Sequence, residues 1–92
     1  MLRNCTVILI SEEERAWIEE VQYLEPWLQD NLAQAEKMGD QYHFPFYDRQ
    51  EIFDCLGAVA YHNDCHGKKW EIVDFVQRMQ QICLWMPDMN EE

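Results

Sequence analysis

The stretch Trp17-Ile18-Glu19-Glu20-Val21-Gln22-Tyr23-Leu24-Glu25-Pro26-Trp27-Leu28-Gln29-Asp30-Asn31-Leu32-Ala33-Gln34-Ala35 repeats apolar residues at steps of three and four. Trp17, Val21, Leu24, Leu28, Leu32 and Ala35 therefore share one helical face. Pro26 interrupts the run; a proline lacks the amide donor and clashes with the preceding turn, so it kinks the helix or begins a second one. The stripe keeps its phase across Pro26, which predicts a kinked pair of helices packed on one core. Ser11, three residues before Glu14, has the spacing of a capping box at the helix start, and Gly39 is expected as the C-cap.

On either side of this run the pattern changes. Asn4 to Ile10 is β-branched and apolar and reads as a short strand. Gln41 to Tyr47 is aromatic, contains Pro45, and is expected to lie extended beside it, with pairing near 42–46. Asp48 and Glu51 repeat the capping spacing and open a helix through Ile52, Phe53, Leu56, Val59 and Ala60, in which Gly57 suggests a close crossing by a neighbouring helix. His62 to Gly67 reads as a turn. A last helix is expected from about Lys68 to about Met86, with Ile72, Phe75, Val76, Met79, Cys83 and Met86 on one side and an Asp74–Arg78 pair on its surface. The fold class expected is mainly α: an antiparallel bundle of three to four helices with a short N-terminal strand. It forms a single domain over residues 1–92, ending in a short acidic tail at 88–92.

Composition narrows the function classes. Eighteen acidic against seven basic residues leave a formal net charge of -11. Direct binding to nucleic acid or anionic lipid is disfavoured, because counterion release needs clustered Lys and Arg and only Lys68-Lys69 are adjacent. No stretch approaches the length of a membrane span, the apolar run Val7 to Ile10 is too short for a signal peptide, and four cysteines are read as free thiols in a reducing, cytoplasmic setting.

Ser11 to Asp40 holds nine acidic residues against Arg15 and Lys37. On one continuous helix with Trp17 at zero, Glu12, Glu19 and Asp30 fall at roughly 200–220°, away from the core, with axial spacings of about 10 and 16 Å; Glu20 flanks them, and Glu13 of the opening turn completes the candidate set. A row of carboxylates at such intervals can occupy a groove built for phosphates, whereas a purely solvating face normally mixes both signs. Trp70 and Trp85 lie near 160° and 220° when Ile72 is the zero of the last helix, opposite its core side, and form a second candidate surface for a partner or a homodimer.

Cys55, His62, Cys65 and His66 are the one constellation with metal chemistry, thiolate and imidazole suiting tetrahedral zinc. Cys65 and His66 are adjacent and no CxxC knuckle is present, so a core thiol and a polar turn are the simpler reading. A Cys65 nucleophile with His62 or His43 lacks an oxyanion site, and the negative surroundings oppose thiolate formation. With no phosphate-binding loop, GxGxxG or HExxH, no enzyme activity and no cofactor are expected. The expected function is a non-enzymatic acidic interaction protein that blocks the basic surface of a partner, a nucleic-acid-binding protein, by nucleic-acid mimicry of the phage or mobile-element counter-defence type. The alternatives are a structural or adaptor subunit binding through Trp70 and Trp85, and a small zinc-stabilised domain.

Overall fold

Residues 6–84 are described by the structure, a computed structural model. Strand β1 (Thr6–Ser11) leads directly into helix α1 (Glu12–Glu19). Helix α2 (Leu28–Gln34), strands β2 (Glu36–Met38) and β3 (Gln41–Phe46), and helices α3 (Arg49–Cys65) and α4 (Trp70–Leu84) follow. The expected N-terminal pairing is present: β1 runs antiparallel to β3, with Thr6 opposite Phe46, Ile8 opposite Phe44 and Ile10 opposite Tyr42. Ile8 and Ile10 point into the core while Val7 and Leu9 face outward, as the period of two requires. Asn4, Cys5, Trp85, Met86 and the tail at 88–92 lie outside the described residues.

The mainly-α expectation is corrected to a mixed architecture, four helices against a three-stranded antiparallel sheet of order β1-β3-β2 among the described residues. The missed element is β2. Helix α2 stops at Gln34 because Ala35 adopts extended backbone (ψ 129°), and Glu36 to Met38 return along β3. Gly39 is therefore the first residue of a two-residue hairpin loop and not a helix cap. Its φ of +68° and the absence of positive φ at Asp40 match a type II′ turn, which follows strand twist and favours glycine at this position. Local helical periodicity lost to strand pairing here.

Pro26 behaves as expected at the start of a second helix: its carbonyl accepts from the Gln29 amide at 3.1 Å, and α2 begins two residues on. Between α1 and α2, however, the chain forms turns over 20–24, so the two acidic helices share no continuous axis. The capping box is intact, with Ser11 Oγ accepting from the Glu14 amide (3.1 Å) and Glu14 Oε1 accepting from the Ser11 amide (2.9 Å). Such a cap contributes about 1 kcal/mol.

Three further sequence expectations are revised. Helix α3 continues through Cys65, so His62 and Cys65 are helical and the turn is His66–Lys69. Its satisfaction comes from the buried Asn63, whose Nδ2 donates to the Lys69 carbonyl and whose Oδ1 accepts from the Lys69 amide. Gly57 marks no helix crossing: a Cβ there meets nothing within 4 Å. Arg78 pairs with Glu14 across the molecule and not with Asp74.

The core is one cluster to which every element but β2 contributes. Phe44 and Phe46 from β3 lie 4.9 Å apart, Phe75 from α4 meets the Trp17 ring edge-on at 5.6 Å, and Ile18, Val21, Leu28, Ile52, Cys55 and Met79 close around them. Each fully buried side chain of this size contributes roughly 1.5–3 kcal/mol of transfer free energy.

Candidate functional site: an acidic helix and an aromatic notch

Glu12 and Glu13 sit in the first turn of α1, where the helix dipole favours negative charge, and Glu19 and Glu20 at its end. All four are exposed. Glu12 pairs with Lys37 of β2 at 3.1 Å, and this carboxylate raises the Lys37 pKa by hydrogen bonding and charge. Glu19 pairs with Arg15 at 2.7 Å. The Arg15 guanidinium also lies 4.8 Å from the Tyr42 ring centre and reaches the Leu32 carbonyl, so it holds α1, α2 and β3 together. Glu20 Oε1 lies 3.6 Å from His62 Nε2. Asp30 is exposed on α2. The structure thus keeps Glu12, Glu13 and Glu19 on one helix, about 10 Å from end to end, with Glu20 as its C-cap. It removes Asp30 from that line, because the 16 Å spacing assumed an unbroken helix.

Trp70, the first residue of α4, is 69% exposed, with Lys68 Nζ 5.2 Å from its ring centre. Trp85, its expected companion, lies outside the described residues.

The four candidate zinc ligands are not brought together. Cys55 is buried in the core, and desolvation pushes its thiol up to about 12, with the Glu25 carboxylate acting in the same direction. His62 uses Nδ1 on the Tyr23 hydroxyl (2.9 Å) and stacks on His66 at 4.0 Å, while Cys65 is exposed and engages the Tyr61 hydroxyl. His66 Nδ1 contacts the His62 carbonyl at 2.9 Å. Among the described residues no group of three or more His, Cys, Asp or Glu side chains is placed to hold a metal ion. Glu20, His62, His66 and Lys69 instead line a hollow of about 180 Å³ between α1 and the α3–α4 turn. Cys55, Cys65 and Cys83 are free thiols.

A feature missed in the sequence lies on the outer face of α3. Phe53, Gly57 and Tyr61 recur at i, i+4 and i+8 and so form a surface row about 12 Å long, interrupted in the middle by a residue without a side chain. Phe53 is 42% exposed and Tyr61 59%. Leu24 and Glu25, from the segment joining α1 to α2, form the facing wall, and Asp54 stands beside Phe53; the groove has a volume of about 460 Å³. Tyr23, 58% exposed, extends the aromatic surface from the same segment. Glu25 Oε1 accepts from Trp27 Nε1 (2.7 Å) and Asp54 Oδ1 from Gln50 Nε2 (2.9 Å). The signal available in the sequence was this exposed aromatic-glycine-aromatic row, running off the buried face of the helix.

Comparison with protein families, curated proteins and solved structures finds no match to this chain. No helix among the described residues is long and apolar enough to cross a membrane.

Proposed function

We propose that this chain is a non-enzymatic interaction protein of the cytoplasm that docks through its acidic surface on a basic surface of a protein partner and blocks it. The observation that carries this reading is the exposed carboxylate set of α1 and α2: Glu13 and Asp30 meet no cation among the described residues, and the cations that pair with Glu12 and Glu19 leave the local balance strongly negative. With a net charge of -11, such a surface accelerates encounter with a basic partner and repels nucleic acid itself. The partner class that presents ordered Lys and Arg is a nucleic-acid-binding protein, and an acidic helix end to end over about 10 Å is a mimic of phosphates for such a groove. The functional setting that fits is counter-defence by a phage or mobile element, by analogy of class alone.

The test is capture on immobilised protein from host lysate, washed at about 50 and then about 500 mM salt, with duplex DNA as competitor. The expected result is a nucleic-acid-binding protein released by salt and by DNA, and lost when Glu12→Gln, Glu19→Gln and Asp30→Asn are combined. Capture that is indifferent to these three changes and lost with Trp70→Ala overturns the charge reading. It would favour an adaptor or homodimer surface, which the exposure of Trp70 supports.

A further inference from the structure

We infer that the notch at Gly57 is a receptor for a single arginine side chain of a partner protein, flanked by Phe53 and Tyr61 and neutralised by Glu25 and Asp54. The inference rests on the acidic-docking reading and names a place on the surface where it is enacted.

The chemistry of the groove favours a flat cation. Two exposed aromatic rings separated by two helical turns border a shallow, open depression at Gly57, where nothing lies within 4 Å of the place a Cβ would stand. Exposed aromatic faces attract cations through the ring quadrupole, most strongly where water is excluded on docking. The carboxylates Glu25 and Asp54 each use one oxygen on a neighbouring side chain, and neither second oxygen has a hydrogen-bond partner among the described residues. A guanidinium carries several donors in a plane, stacks on a ring and can meet two carboxylates at once; an ammonium is a compact, strongly hydrated charge that does neither. Rings and carboxylates together therefore discriminate arginine from lysine, which a diffuse acidic surface does not. Arginine and tyrosine are also the residues around which interface energy concentrates. Pro26 and the turns at 20–24 are what place Leu24 and Glu25 opposite α3; a continuous helix would have carried them elsewhere.

The experiment is a titration of the whole protein, followed by amide chemical shifts, with tetra-arginine and tetra-lysine peptides at equal ionic strength. Wild type is compared with Gly57→Leu, Tyr61→Ala and the pair Glu12→Gln/Glu19→Gln, after thermal melts confirm that each folds. The expected result is shifts centred on Leu24–Glu25 and Phe53–Tyr61. Affinity for tetra-arginine should be at least fivefold that for tetra-lysine, fall fivefold or more in both Gly57→Leu and Tyr61→Ala, and stay within twofold in the α1 double variant. Shifts centred on α1, equal affinity for the two peptides and indifference to Gly57→Leu overturn the notch while leaving acidic docking intact. No shift with either peptide at millimolar concentration overturns both.

Discussion

Arg78 of α4 is ion-paired with Glu14 of α1, sixty-four residues away in sequence, and the same Glu14 carboxylate accepts the Ser11 amide in the capping box. One side chain thus ends a strand, starts a helix and fastens that helix to the last one. Glu14 is largely buried by these partners, whereas Arg78 is more than half exposed. Replacing Glu14 by Ala removes half of the cap and the pair together, for an expected loss of about 1–2 kcal/mol. Arg78→Ala should cost less than about 1 kcal/mol, since a half-exposed pair is screened by water. Urea unfolding of the two variants measures the difference.

Asn31 gives the larger effect. It is buried, and its Nδ2 donates to the Pro45 carbonyl (3.0 Å) and to Glu51 Oε1 (3.1 Å), which also accepts the Tyr47 amide (2.8 Å). The cluster joins α2, the end of β3 and the start of α3. Asn31→Ala leaves a buried carbonyl without its donor and should cost about 2–3 kcal/mol. Asn31→Asp should be at least as costly near neutral pH, because it brings a carboxylate against Glu51. Equilibrium unfolding checks both.

Gly57→Ala is expected to stabilise the protein by up to about 1 kcal/mol, since the position is helical, exposed and free of any neighbour for the added methyl. A rise in melting temperature is the expected readout; a fall would mean that the backbone at Gly57 is not ordinary helix.

Stability should decline in alkali. The Cys55 thiol ionises near its ordinary value of 9.0 in the unfolded chain but only at about 12 when folded, so the folded chain holds the extra proton between those limits. Its contribution is complete below pH 9 and is lost as pH rises through the 9–12 window, at up to about 1.4 kcal/mol per pH unit. Tyr61, raised by its hydrogen bond with Cys65, and Cys83, raised by burial, act in the same direction. Denaturation at pH 8, 9.5 and 10.5 under reducing conditions should show a shallower alkaline slope for Cys55→Ala than for wild type, whatever the offset between them at pH 8.

The thiols should also separate by reactivity. Cys65 is exposed and Cys55 and Cys83 are buried, so iodoacetamide at neutral pH should label Cys65 well ahead of the other two. Peptide mapping of a time course reads the order directly.

Much of the fold was legible wherever a local pattern and its tertiary setting agreed. Ser11 and Glu14 announced the first helix, the i, i+3, i+4 series from Ile72 to Cys83 announced the last, and the β-branched run before Ser11 found its partner near Tyr42. The reading failed where neighbours decided the outcome. Glu36 to Met38 carry no strand signal of their own and are extended because β3 offers hydrogen bonds. Gly57 was assigned a crossing because an intrahelical glycine invites one, although its surroundings are open. The acidic site was half legible: Glu12 to Glu19 share α1 and Glu20 caps it, but Asp30 belongs to a second axis once the turns before Pro26 are in place. The notch was not legible as a site, since its two walls come from segments about thirty residues apart and only folding sets them face to face.

The pairing of β1 with β3 joins residues thirty to forty positions apart, while β2 and β3 are joined by two. During synthesis β1 therefore emerges long before the strand that will cover it, and closing so wide a loop is the slower step beside a local hairpin. Through that interval Val7, Ile8, Leu9 and Ile10 are an uncovered β-prone segment of the kind that seeds aggregation. Glu12, Glu13 and Glu14 follow immediately, and charges beside such a segment keep nascent chains from joining edge to edge. The acidic triplet that later opens a helix guards the strand before it has a sheet to enter.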